Sequence, residues 1–245
     1  MLTKIFNSKR KTCVFIFARG GSKGLPRKNV LSIGGLPLVV HSIHVAQALG
    51  DIEGIFVSTD CKEIASIAAA AGAEIINRPY ELASDTAPEW LAWQHAIDWV
   101  QDKYGDFDCF LSLPPTAPCR RVIDVKRCLE ALNPNVDLVL TMTPSHRSPW
   151  FNMVTEDADG YLKLVKTEAA IQRRQDAPSC FDIATVAYAA HPNYILKASS
   201  LWEGIVCGVE IRSEYAIDID THMDYAIARF LKEQYLPNLE EMDNA

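Results

Sequence analysis

The chain has 245 residues, 49% of them hydrophobic and 22% charged, with a formal net charge of −7. That length and composition suit one α/β core with at most a small appended lobe, and they exclude a disordered chain. The acidic balance argues against nucleic acid as a partner, because phosphate neutralisation needs a broad basic surface, and no apolar run reaches the roughly 20 residues that span a bilayer.

Residues 1–12, MLTKIFNSKRKT, are basic and polar and lack the apolar stretch of a secretory signal. They read as a flexible extension, followed by a single domain over 13–245. CVFIFA at 13–18 is short and continuously apolar, as a strand buried on both faces should be. A glycine-rich basic loop follows. Pro37 then opens a helix whose apolar face is Val39, Val40, Ile43, Ala46 and Leu49. Gly54–Ser58 reads as a second strand. Asp60 and Glu63 resemble a capping box before a helix that buries Ile64, Ile67, Ala68 and Ala71.

Glu89–Lys103 is a Trp-rich helix, with Trp90 and Trp93 expected in the core. A strand at Asp108–Leu113 stops at Pro114 and Pro115. A helix at Arg121–Leu132 and a strand at Asp137–Met142 come next. Between Pro144 and about Pro178 prolines and charges replace the βα rhythm, which suggests an inserted lobe at about 144–185. Strands resume at Ala184–Ala189, Ile205–Val209 and Ala216–Ile219, and a last helix runs from Thr221 to about Gln234. The alternation predicts an α/β fold, a mostly parallel sheet covered by helices. Seven cysteines, an odd number without CxxC spacing, read as reduced thiols of a cytoplasmic protein rather than a disulfide framework or zinc site.

The loop after the first strand carries the chemistry. Arg19, Lys23, Arg27 and Lys28 place four positive charges within ten residues, and Gly20, Gly21 and Gly24 let backbone N–H groups approach an anion. At the carboxyl end of a strand, such a loop suits a triphosphate. It has neither the P-loop spacing nor the GxGxxG fingerprint, which lowers the ATPase and dehydrogenase readings. Asp218 and Asp220 flank Ile219 and would face one side of a strand, where they suit a hard cation such as Mg²⁺. On its own, DxD also describes a solvated turn.

FARGGSKGLPRKN resembles the signature loop of the acylneuraminate cytidylyltransferases, or CMP-sialic acid synthetases. VSTD at 57–60, RPYELASDTA at 78–87, PPTAPCR at 114–120 and DIDT at 218–221 agree in order and spacing, so the resemblance covers roughly 13–232. It implies a Rossmann-like fold, a homodimer, and attack of a sugar's anomeric hydroxyl on the α-phosphorus of CTP. It implies that Arg19, Gly20, Gly21, Ser22, Lys23 and Lys28 meet the triphosphate, and that Asn29, Arg78 and Ala87 meet the cytosine and ribose. Arg19, Lys28, Asp218 and Asp220 become the catalytic set, with Mg²⁺ on the two aspartates. The inserted lobe becomes a dimerisation lobe that helps complete an acidic nine-carbon sugar's site through Arg173, Arg174, Gln175, Asp182 and Tyr188.

Three positions depart from bacterial N-acetylneuraminate enzymes of that family. Pro114 stands for a glutamine, Glu89 for a serine and Phe151 for a lysine. A proline or a phenylalanine cannot supply the lost hydrogen bonds or charge, so a related acid such as legionaminic or pseudaminic acid is expected. Two other classes compete. A glycosyltransferase would carry its DxD mid-chain and lack the basic glycine loop, and a non-catalytic nucleotide-binding protein would have lost the loop cations or the DxD pair.

Overall fold

The computed structural model describes residues 10–167, 171 and 173–238. Most of the N-terminal extension lies outside these residues. Its last three do not behave as an extension. Arg10 donates to the carbonyl of Leu132 at 2.8 Å, the Lys11 N–H donates to Asp108 at 2.8 Å, and Thr12 already opens the first strand.

In chain order the elements are β1 (Thr12–Phe17), the two-residue ladder β2 (Ser32–Ile33) and β3 (Leu36–Pro37), α1 (Leu38–Leu49), β4 (Gly54–Thr59), α2 (Lys62–Ala70), β5 (Glu74–Asn77), α3 (Glu89–Tyr104), β6 (Cys109–Ser112), α4 (Val122–Ala131) and β7 (Leu138–Pro144). A hairpin of β8 (Val154–Glu156) and β9 (Leu162–Leu164) follows, then β10 (Phe181–Ala190), α5 (Pro192–Lys197), β11 (Val206–Glu210) and α6 (His222–Phe230), which a π-turn extends over Leu231–Tyr235. The seven-stranded sheet has the order β11-β7-β10-β6-β1-β4-β5. Its pairs are parallel except those of β10, which runs antiparallel to both β6 and β7.

Period-two alternation on β1 builds both layers. Val14 and Ile16 join the apolar core beneath α1, α2 and α4. Cys13 and Phe15 point to the other face, where α3 and α5 close an aromatic core. There Phe15 stacks on Phe110 with ring centroids 4.7 Å apart, and Trp90 and Trp93 of α3 are buried as expected. None of the seven cysteines is paired.

Several expectations are revised. Beyond the expected elements the chain forms β5 and α5, both short, and the β8–β9 hairpin. The stretch before DIDT is not a strand but a 3₁₀ turn at Ser213–Tyr215 followed by extended coil. The Asp60–Glu63 pair caps nothing: the N-cap of α2 is Cys61, with no side-chain cap bond. The capping box lies instead on α6, where Thr221 accepts from the Asp224 N–H and Asp224 accepts in return. β10 joins the sheet at Phe181, three residues before the predicted Ala184.

Strand β10 also carries a bulge. Its register against β7 jumps between Ala184 and Tyr188, which leaves three residues outside the ladder. The buried hydroxyl of Thr141 repairs this. It donates to the Ala184 carbonyl at 2.6 Å and accepts the N–H groups of Val186 at 3.3 Å and Ala187 at 3.1 Å. One donor and two acceptor sites are thus all used. Thr141→Val keeps the shape but strands these groups, and is expected to cost about 1–3 kcal/mol in urea denaturation.

Candidate active site

The loops that follow β1, β5 and β6 meet the β10 bulge and the segment before α6 at the carboxyl ends of the parallel strands, where such sheets bind ligands. They enclose a cavity of about 700 Å³ whose walls include Arg19, Ser22, Lys23, Lys28, Asn29, Arg78, Ala87, Glu89, Pro114, Thr185, Tyr188, Asp218 and Asp220. Of the residues expected at a nucleotide, Arg19, Ser22, Lys23, Lys28, Asn29, Arg78 and Ala87 all line it, as do both DxD aspartates. Gly20 and Gly21 belong to the same loop without lining the cavity wall.

The loop is shaped from behind. Asp60 accepts the Gly20 N–H at 2.9 Å, and Glu63 forms an ion pair with Arg27. The two acids read as a helix cap therefore anchor the glycine loop. Arg27 itself sits in the left-handed region, at φ 58°. Buried Asn29 donates to the Arg19 carbonyl at 2.9 Å, so it braces the loop at least as directly as it faces a ligand. Beneath lies a small apolar cluster of Leu25, Ile33, Leu38, Ile219 and Ala228, which fastens the loop to the DxD segment. Two glycines are sterically required: a Cβ on Gly24 would meet the Asp220 carbonyl oxygen at 2.5 Å, and one on Gly20 would meet the Cys61 Cβ at 2.9 Å.

Ile219 between the two aspartates is buried while Asp218 and Asp220 turn to the cavity, so the expected i, i+2 geometry survives without a strand. Asp220 accepts from the Lys28 ammonium at 2.8 Å. Asp218 Oδ1 is buried and, among the described residues, has no hydrogen-bond partner. An orphaned carboxylate oxygen turned to a cavity fits a cation ligand. No cluster of three or more His, Cys, Asp or Glu side chains placed to hold a metal occurs among the described residues. The donor set therefore suits an ion that takes one or two carboxylates and completes its shell from phosphates and water.

Arg78 donates to the Ser58 hydroxyl at 3.1 Å and to its carbonyl at 2.8 Å, and lies over the Phe17 ring. Burial lowers its pKa, opposed by Glu89 and Asp60. Glu89 opens α3, is exposed to the cavity, and accepts from Trp93 Nε1 at 3.3 Å. Desolvation in this recess pushes the carboxyl above its ordinary range. Asp218 adds to the rise, and Trp93 and Arg78 oppose it. The Tyr188 hydroxyl is likewise raised, first by burial and then by Glu89 and Asp218.

The remaining sugar candidates are not brought to this cavity within one chain. Arg173 is exposed and holds Asp176 through two hydrogen bonds of 2.7 and 2.8 Å. Gln175 lines a separate cavity at the root of the lobe, Asp182 is exposed on β10 opposite Thr143, and the side chain of Arg174 lies outside the described part. Sequence reading gave no role to Thr185, whose buried Oγ1 is unpartnered among the described residues at the cavity wall. It sits in the β10 bulge, which has no local sequence signal. Asp60 and Asp85 stood in quoted motifs, but nothing in the sequence showed what they touch.

A family model described as cytidylyltransferase matches residues 13–92. The chain is 34% identical over 233 residues to post-translational flagellin modification protein B of Campylobacter coli, covering 93% of this chain and 97% of that one. It is 34% identical over 221 residues to the CMP-N,N'-diacetyllegionaminic acid synthase of Campylobacter jejuni, covering 88% and 92%. The N-acylneuraminate cytidylyltransferase of Streptococcus agalactiae serotype III is 28% identical over 88% of this chain and 52% of its own length. A CMP:2-keto-3-deoxy-manno-octonic acid synthetase solved with CTP shares the fold, with a TM-score of 0.67 at 17% identity over 91% of this chain and 99% of that one.

The raised Glu89 carboxyl has a stability consequence. Its folded pKa exceeds its unfolded value, so its stabilising contribution is complete below the unfolded pKa and is lost as pH rises through the folded one. Glu89→Gln mimics the protonated form. Its denaturation midpoint is expected to exceed that of the unaltered chain most at about pH 8, with the gain shrinking towards about pH 4.

Proposed function

The chain belongs to the CMP-sialic acid synthetase family of nucleotidyltransferases, and on that footing we propose that it couples CTP to a nine-carbon acidic sugar, giving the CMP-sugar and pyrophosphate. The observation that carries this reading is the meeting, in one cavity, of the Arg19–Lys23–Lys28 cations with the Asp218 and Asp220 carboxylates. A phosphate-binding loop and a cation-holding pair are what transfer to an α-phosphorus requires. Both sets are intact, which disfavours a non-catalytic nucleotide-binding protein. Their shared cavity next to an N-terminal basic loop disfavours the glycosyltransferase arrangement.

In this reading Arg19, Lys23 and Lys28, with the N–H groups of the glycine loop, hold the triphosphate and neutralise charge on the departing pyrophosphate. Arg78 and Ala87 border the nucleoside. The acceptor's anomeric oxygen bonds to the α-phosphorus as the bond from that phosphorus to the bridging oxygen breaks, and one proton is released. Asp218 and Asp220 would hold Mg²⁺, which supplies Lewis-acid polarisation of the phosphate when bound. Glu89, Thr185 and Tyr188 line the part of the cavity left for the sugar. The identity to a legionaminic acid synthase, over nearly its whole length, together with Glu89, Pro114 and Phe151, supports a legionaminic-type acid over N-acetylneuraminic acid. The free thiols support a reducing, cytoplasmic setting.

We further propose a homodimer built on the lobe. Between Phe151 and Ile183 the side chains of Val154, Tyr161, Leu162, Val165 and Phe181 are exposed, with Tyr161 at 70% and Leu162 at 64%. An apolar patch of this kind on a soluble domain marks an interface, and a partner lobe seated there would carry Arg173 and Gln175 towards the neighbouring cavity.

Pyrophosphate release from CTP and Mg²⁺, assayed across nine-carbon acids, is expected with one of them and to be lost in Asp218→Ala of unchanged circular dichroism. Release by that variant at the unaltered rate overturns the cation role. For the lobe, the double variant Tyr161→Asp, Leu162→Lys is expected to sediment at half the mass of the unaltered protein.

A further inference from the structure

The cations that face the cavity are already engaged. Asp85, in the turn after β5, places Oδ1 at 3.0 Å from the Arg19 guanidinium and Oδ2 at 2.6 Å from the Lys23 ammonium. One carboxylate thus spans two cations with two oxygens, the way a phosphoryl group spans them with its non-bridging oxygens. We propose that Asp85 is an exchangeable counter-anion that occupies the triphosphate's place on Arg19 and Lys23, and that it weakens the loop's hold on linked phosphates. This inference rests on the cytidylyltransferase reading of the same cavity.

Three observations support exchange rather than a fixed tie. First, the pair is open to water. Asp85 is 39% exposed and Lys23 78%, so each contact is solvent-screened and weak. The Lys28–Asp220 pair, by contrast, buries its ammonium to 14% exposure. Second, hydrogen bonding from Lys23, then the charges of Lys23 and Arg19, hold the Asp85 carboxyl below its usual range, so it is ionised wherever a nucleotide is. The competition is therefore not relieved by pH in the neutral range. Third, Arg19 also donates to the Ser84 carbonyl at 3.1 Å, a bond independent of Asp85 that keeps the guanidinium in place when the carboxylate leaves it.

The cost falls on ligands that must displace the carboxylate. Linked phosphates bring more negative charge to the two cations than a carboxylate does and displace it, at a loss of affinity. A nucleoside monophosphate held at the Arg78 and Ala87 end leaves Asp85 in place. Asp85 thereby weakens both triphosphate entry and pyrophosphate retention, and it favours departure of the leaving group.

The test is equilibrium binding of inorganic pyrophosphate, CTP and CMP to the full chain by calorimetry, at fixed Mg²⁺ and without acceptor. Asp85→Asn, with Asp85→Ser as a second variant, is expected to bind pyrophosphate and CTP about three- to tenfold more tightly. CMP affinity should change less than about twofold, and Asp85→Glu should stay near the unaltered protein. Unchanged or weaker pyrophosphate binding in both neutral variants overturns the inference while leaving the cytidylyltransferase reading in place. Equal tightening for CMP reports only the lost negative charge and overturns the exchange. Failure of the unaltered chain to bind CTP overturns both readings.

Discussion

The cavity hangs on one buried charge. Arg120, from the segment PPTAPCR, is fully enclosed. It donates to the Val186 carbonyl at 2.5 Å, the Ser42 hydroxyl at 2.9 Å and the Pro114 carbonyl at 2.6 Å. These acceptors belong to the β10 bulge, to α1 and to the loop after β6, the last two also joined where Ser42 donates to the Pro114 carbonyl at 3.2 Å. Burial brings the guanidinium's pKa down to about 9, opposed by Asp218, so the group stays charged at neutral pH. A charge taken out of water costs several kcal/mol unless its donors are satisfied. Here three oxygens satisfy them, and the nearby negative charge of Asp218 complements them from the cavity side. The same guanidinium thereby fixes the bulge that carries Thr185 and leads into Tyr188.

Much of this architecture was legible in the residues. The continuous apolar run of β1, the helical spacing of Val39, Val40, Ile43 and Ala46, and the Trp90–Trp93 pair all follow from periodicity, because burial on two faces or on one stripe leaves a local pattern. The glycine loop and DxD were visible because their chemistry demands small residues and charges close together in sequence. What escaped was set by partners far along the chain. Asp60 and Glu63 carry the spacing of a helix cap, and only the approach of Gly20 and Arg27 shows that both are spent on the loop. Thr141 reads as an ordinary strand residue until the bulge 43 to 46 residues later needs its hydroxyl. The reversed direction of β10 likewise had no local mark, since an apolar strand reads the same either way.

Electrostatically the site is balanced before any ligand arrives. Arg19 and Lys23 face Asp85, Lys28 faces Asp220 and Arg27 faces Glu63. A chain of net charge −7 presents, at this one place, neutralised cations rather than a bare basic patch. Such pairing keeps the loop ordered without inviting every passing polyanion, and it makes binding an exchange of partners rather than a simple gain of contacts.

The closeness of Gly24 to the Asp220 carbonyl oxygen has a consequence for how the molecule is made. The loop lies near the start of the chain, and its seat, with the Lys28 counter-charge and the Ile219 contact, is supplied 192 residues later. During synthesis the loop therefore leaves the ribosome long before the surface it rests on exists. The cavity becomes whole only when the segment through Asp220 has emerged, so a polypeptide cut short before that segment can assemble much of its sheet and still lack this wall of the cavity.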